Sequence, residues 1–367
     1  MPLDTISTVS REWATRPDDQ RYTSLLDMEQ HFATVRRNSV AQAVSSRRIA
    51  FKPTSQHDLT LSLDGGPDIS PTHHAFGQLA TLARAPAGYL RRLPAPFAAD
   101  LLNYGLTFDR DIEDVGTLAY QPSSGQGRLR AATGPNYGRI WNHDIVRGLI
   151  DRVGDGVSGD WRVPGEFGVR VPVTVENTTL YAADHNMFVF LADEDNRVEI
   201  KDRRAGEPGT LARGILIWNS ETGDRTLGVV TVLFDYACRN RILWGVKGYD
   251  KLVIRHTAGA PDRWIEQVWP AIKAYQESST KGITDAIEVA KNLRLGDKVD
   301  EFLRSRFSAT FATAMQNRHM IEEGRPIETI WDAVTAATAV AREIPHQDRR
   351  VEVEASAGKI LSLVTPA

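Results

Sequence analysis

The stretch RGILIWNSETGDRTLGVVTVLFDYACRNRILWG, residues 213–245, sets two β-rich apolar runs on either side of a polar reversal and then enters a Cys-Arg-Asn-Arg cluster. Asn219, Ser220, Gly223 and Asp224 are residue types that stabilise tight reversals, so the stretch reads as a hairpin with one decorated end. Further strand-like runs surround it, at Thr179–Ala183, Met187–Ala192 and Leu252–His256. The acidic run Asp193–Asn196 falls where a hairpin turn is expected after Met187–Ala192. Strands at this density, joined by short turns, predict an antiparallel or mixed sheet rather than a doubly wound βαβ series.

On the N-terminal side, Tyr22–Arg48 reads as one helix, with Leu25, Met28, Phe32 and Val35 near helical spacing. Leu59–Leu63 alternates as a strand and stops at Asp64-Gly65-Gly66-Pro67. Helices following Ser70-Pro71 and covering Phe97–Leu106 form a compact helical subdomain. Strands at Gly116–Tyr120 and Arg128–Ala132 come next, then an amphipathic helix with Asn142 as its N-cap. Beyond Pro261 the pattern is helical throughout, beginning with the stripe Trp264, Val268, Trp269, Ile272. The predicted class is α+β, a central antiparallel or mixed sheet with an N-terminal helical subdomain and a helical C-terminal region. The expected organisation is a polar segment 1–20, a core domain 21–260 and a helical region 261–367 packed on the core.

With 367 residues, 41% of them hydrophobic, the chain can bury a sizeable core. Its formal charge of -3 excludes a global field for polyanions, so any such site is a local patch. A single cysteine, Cys238, rules out an intramolecular disulfide framework and fits a reducing cytoplasm. The N-terminus lacks the basic start and apolar core of a signal peptide, and no apolar run is long enough to span a bilayer, so a cytoplasmic protein is expected.

Catalytic signatures are sparse. The glycine-rich segments 154–159 and 206–209 lack the Walker Lys-Ser/Thr pair and the spacing of a dinucleotide fingerprint, and read as turns. No nucleophile elbow occurs; Arg239 and Arg241 can lower the Cys238 pKa, although a strand-end cysteine is more often a small core residue. Asp184, His185, Asp193 and Asp195 offer carboxylate and imidazole ligands for a metal-dependent enzyme such as a nuclease, against the simpler reading of a solvated turn. No metal or cofactor is predicted. The basic and aromatic residues Arg239, Arg241, Trp244, Lys247, Tyr249, Lys251 and Arg255, with a second cluster at Lys201, Arg203 and Arg204, carry the chemistry of single-strand binding. The alternative is a solvated strand edge with Trp244 in the core. Trp331, Val334, Ala337, Thr338 and Ala341 supply small and apolar residues for a homo-oligomer contact through the C-terminal helices, or for packing within the chain.

Several blocks in order resemble the phage/plasmid-like family known as domain of unknown function 932. They are FGQLATLARAPAGYLRRLPAPFAADLLNYGL, LRAATGPNYGRIWNHDIV, GILIWNSETGDRTLGVVTVLFDYACRNRILWG, and TIWDAVTAATAVAREI with DRRVEVEASAGKIL, spanning most of the chain after residue 70. The resemblance implies a mobile-element setting and an intracellular protein, and transfers no catalytic residue. It marks Asn219, Ser220, Glu221, Gly223, Cys238, Arg239 and Asn240 as a shared site or a shared turn. The expectation is a non-enzymatic protein that binds nucleic acid, single-stranded DNA in replication or recombination. The alternatives are the metal-dependent enzyme and an oligomeric structural or host-interaction protein.

Overall fold

The computed structural model describes residues 18–108, 114–164, 172–204, 207–235, 240–243, 251–278, 281–344 and 347–364. In chain order the elements are β1 (Arg21–Tyr22), α1 (Leu25–Arg37), β2 (Ser39–Ser45), β3 (Ile49–Pro53), β4 (Leu59–Leu63), β5 (Ser70–Pro71), α2 (His73–Leu82), α3 (Ala87–Leu90), α4 (Ala95–Phe108), β6 (Asp114–Tyr120), β7 (Arg128–Thr133) and α5 (Asn142–Val153). There follow β8 (Trp161–Arg162), β9 (Leu180–Ala182), β10 (Met187–Asp193), β11 (Val198–Arg204), β12 (Glu207–Asn219), β13 (Leu227–Asp235), β14 (Asn240–Leu243) and β15 (Lys251–Ile254). The C-terminal helices are α6 (Ala260–Glu277), α7 (Lys281–Asn292), α8 (Val299–Arg304), α9 (Ala309–Glu323), α10 (Ile330–Ala341) and α11 (Gln347–Ser362). The fold is α+β, as the sequence predicts.

The quoted stretch forms the axis of the larger sheet. β12 and β13 pair antiparallel from Leu211↔Asp235 to Trp218↔Gly228. Their side chains alternate between two buried faces, which explains why both runs are almost wholly apolar. Ile215, Ile217 and Val229 join Leu25 and Phe32 of α1, Val146 and Leu149 of α5 and Trp264, Val268 and Ile272 of α6 in one core. Leu216, Trp218, Val230 and Val232 join Phe188 and Phe190 of β10 on the opposite face. Fully burying each such side chain contributes roughly 1.5–3 kcal/mol.

Both flanks of this ribbon are single strands interrupted midway. On one side β10 pairs β12 from Met187↔Asn219 to Ala192↔Gly214, and β11 resumes in the same direction at Val198↔Leu211. On the other, β14 pairs β13 up to Leu243↔Val232 and β15 resumes at Lys251↔Val230. Asp193–Asn196 is therefore an excursion within a continuing strand, not the expected hairpin turn. Its local chemistry is still that of a turn, since Asp193 accepts hydrogen bonds from the Asn196 backbone N–H at 3.2 Å and its Nδ2 at 3.0 Å. Arg213, directly across, holds the excursion in place by donating to Asp193 Oδ2 at 2.7 Å.

The N-terminal part is a smaller α/β layer rather than purely helical. β2, β6, β7 and β5 form a four-stranded sheet in that order, and β3 and β4 form a hairpin. α2 and α4 bury Phe76, Leu79, Leu102 and Leu106 with Phe51, Leu61 and Val115 of the strands. The single helix expected over Tyr22–Arg48 ends at Arg37, because Ser39–Ser45 pairs residue for residue with β6. Ser70-Pro71 pairs with β7, and Thr72 takes over as the α2 N-cap by accepting from Ala75 N.

The C-terminal helices build a third core. α7 to α11 enclose Ile287, Leu303, Met315, Trp331, Val334 and Ile360, together with Val198, Ile200, Leu211 and Leu233 of the large sheet. All residues of α10 are buried, so Trp331, Val334, Ala337, Thr338 and Ala341 pack within the chain. The expected oligomer contact through this helix is thereby overturned: its surface is already covered by its neighbours. No helix among the described residues is long and apolar enough to cross a membrane.

Candidate functional site

The connection between β12 and β13 is a buried polar segment whose partners come from several remote elements. Asn219, Ser220, Glu221 and Thr222 are at most 1% exposed, which an ordinary surface turn never is. The Glu221 carboxylate accepts from Arg130 Nη1 of β7 at 2.9 Å and from the backbone N–H of Asn142 at 2.8 Å. Asn142 is the first residue of α5 with Trp141 as the N-cap, so the carboxylate sits at the positive end of that helix. Asn142 is thus not the cap the sequence suggests; its Oδ1 accepts instead from Asn219 Nδ2 at 2.7 Å.

Successive carbonyls of this strap are each gripped by a side chain from the smaller layer or its linker. Tyr137 Oη donates to Ser220 O at 2.7 Å, Arg139 donates to Glu221 O, and Gln78 Nε2 donates to Thr222 O at 2.7 Å. His74 Nε2 also donates to Thr222 O at 3.2 Å. The Ser220 and Thr222 hydroxyls donate to His185 O at 2.6 and 3.0 Å, fixing the approach to β10. Gly223 adopts φ +88°, a conformation that favours glycine, and a Cβ there would meet Thr133 Cγ2 at a tight 3.1 Å. Tyr137 stacks on His256 with ring centroids 4.8 Å apart. His256 Nδ1 bonds the Gly138 carbonyl at 3.0 Å, and burial, the dominant influence, holds the imidazole pKa below its ordinary value.

Apart from the buried Asn219 Oδ1, which has no hydrogen-bond partner among the described residues, these contacts commit the named donors and acceptors of the strap to joining layers. Turn chemistry alone does not explain Asn219–Asp224, because the partners are remote in sequence. Gln78 lies in the first of the resembling blocks, Arg130, Tyr137, Arg139 and Asn142 in the second, and Asn219–Thr222 in the third. Their order along the chain was visible in the sequence; their convergence on one strap was not.

The predicted nucleic-acid residues divide between the two ends of the large sheet. Lys201, Arg203 and Arg204 belong to β11, whose pairing jumps from Ile200↔Gly209 to Arg204↔Glu207. Three residues, Lys201 to Arg203, thus oppose Pro208 alone, a bulge placed where proline has no N–H to give the ladder. Asn240 and Arg241 of β14 face Asp235 and Phe234, and Asp235 in turn faces Leu211. The β11–β12 hairpin and the start of β14 therefore share one end of the sheet. Lys251 faces Val230 further along, and the exposed Arg255 follows Ile254, which pairs with Leu227 at the opposite end. Cys238, Arg239, Trp244, Lys247 and Tyr249 lie outside the described residues.

The metal reading is not assembled. Asp184 and His185 precede β10, whereas Asp193 and Asp195 stand at its far end. Asp193 pairs with Arg213, and Glu194 with Arg162 at 3.0 Å. Among the described residues no group of three or more His, Cys, Asp or Glu is placed to hold a metal ion. The His185 ring stacks on that of His74 with centroids 5.7 Å apart.

Comparison with protein-family models, with curated proteins and with solved structures returns no match.

Proposed function

We propose that this is a non-catalytic, cytoplasmic nucleic-acid-binding protein of the phage or plasmid type, acting on single-stranded DNA in replication or recombination. The supporting observation is the strand register. It brings the Lys201–Arg204 bulge and the Arg241 strand, separated in sequence, to one end of the nine-stranded sheet. Basic side chains on a bulged strand end neutralise backbone phosphates without requiring a basic chain overall. The buried strap belongs to the scaffold in this reading, since Glu221 is committed to Arg130 and to the α5 N-terminus. The interface consists of Lys201, Arg203, Arg204 and Arg241, with Arg239, Trp244, Lys247 and Tyr249 of the adjoining segments supplying further charge and stacking.

The test is binding of a labelled oligothymidylate at low salt by the wild-type protein and by a Lys201→Ala/Arg203→Ala/Arg204→Ala/Arg241→Ala variant. The variant is expected to bind at least tenfold more weakly, on the order of 1.4 kcal/mol, with unchanged thermal stability. Equal affinity of the two proteins would sink the assignment of this surface.

A further inference from the structure

We propose that α4 is a self-association surface, through which two copies of this chain pair antiparallel about a two-fold axis. The proposal is independent of the nucleic-acid reading. α4 buries Ala95, Ala98, Ala99, Leu102 and Leu106 against its own layer. On the other side it leaves Phe97 63%, Leu101 45%, Tyr104 65% and Phe108 66% exposed. These positions follow the i, i+4, i+7, i+11 spacing that keeps one ridge along a helix, about 16 Å long at about 1.5 Å per residue. A helix held by its inner face and showing a second apolar ridge is amphipathic in the wrong sense for a monomer.

The ridge is its own complement. A two-fold axis passing between positions 102 and 103 exchanges Phe97 with Phe108 and Leu101 with Tyr104. In the antiparallel pair Phe97 meets Phe108 of the second copy and Leu101 meets its Tyr104, the reciprocity an isologous contact requires. Asp100 is the sole charged residue of the helix and is carried opposite Gly105, so no like charges are set directly across the axis. A lipid surface or a nucleic acid calls for cations along such a ridge; α4 contains neither Lys nor Arg, and the exposed Arg91 and Arg92 precede its first turn. Three aromatic side chains about two-thirds exposed and one leucine present about 450 Å² per copy. Two copies together bury at most about 900 Å², below the about 1,200 Å² of the smaller stable interfaces, so the pairing is a weak and reversible one.

Sedimentation velocity of the full-length protein over a wide concentration range tests this. The wild type is expected to dimerise. Phe97→Arg and Phe108→Asp, each altering both symmetry-related end contacts of the pair, should each raise the dimer dissociation constant about thirtyfold, with unchanged circular-dichroism melting. Mixing these two variants should restore the dimer, because the introduced guanidinium then faces the introduced carboxylate while the second contact of the pair remains Phe against Phe. A wild-type monomer at all concentrations overturns the proposal, as does a dimer indifferent to both substitutions or a mixture that stays monomeric. A monomer that binds anionic vesicles or single strands through this ridge, losing them on Tyr104→Asp, also overturns it and assigns the face to that ligand.

Discussion

At the scale of single residues, Glu221 decides how the two layers hold together. Its carboxylate and the Arg130 guanidinium are both buried, so removing one leaves the other charge without compensation. Glu221→Ala is expected to destabilise the protein by about 3–5 kcal/mol in urea unfolding. An apolar replacement of both partners, Glu221→Leu with Arg130→Met, should recover a substantial part of that loss. If the single substitution is silent, the strap is not a keystone. His256 makes a second, pH-dependent prediction. Burial lowers its folded pKa below that of the unfolded chain, so the unfolded state takes up the proton first. Stability is full above about pH 6.5 and falls as the pH is lowered through the folded-state value. His256→Gln keeps a donor for the Gly138 carbonyl without titrating, and thermal melts of this variant should show a shallower acid-side slope. None of the remote partners of the strap was readable locally: Asn, Ser, Gly and Asp carry the same turn signal whether the reversal meets water or Gln78, Tyr137 and Arg139.

At the scale of elements, β12 and β13 were legible because two short, almost wholly apolar runs joined by a polar reversal fit a strand pair buried on both faces. The interruption of their neighbours was not. The Asx interactions of Asp193 form equally well in a hairpin and in an excursion, and the 13-residue length of β12 is what lets β11 continue alongside it. The same limit explains α1, where Ser39–Ser45 becomes a strand through pairing with β6 at Asp114–Tyr120, a partner remote in the sequence. Within the central pair, Gly228 lies directly opposite Trp218, and a Cβ at this position would come within 1.9 Å of the indole. Gly228→Val should cost about 1–3 kcal/mol by overpacking, measured as a lowered midpoint in chemical denaturation. An unchanged midpoint would mean that the indole does not cover this glycine.

For the whole molecule, the structure redistributes what the sequence offered as interaction surfaces. The small-residue stripe of α10 is consumed inside the chain, and α4, which the sequence presents only as part of a helical subdomain, carries an exposed apolar ridge. Helical periodicity identifies an apolar face; it does not say which of two such faces the fold will cover. The basic residues behave similarly: Lys201–Arg204 and Arg241 come together only through the pairing of β11, β12, β13 and β14, whereas Arg255 is carried to the other end. Single-strand binding at that sheet end reads out in the salt dependence of oligothymidylate affinity. The expected log–log slope is about −0.7 for each phosphate neutralised, becoming shallower by about 2–3 in the Lys201→Ala/Arg203→Ala/Arg204→Ala/Arg241→Ala protein. No binding at low salt, or one slope shared by both proteins, would contradict it.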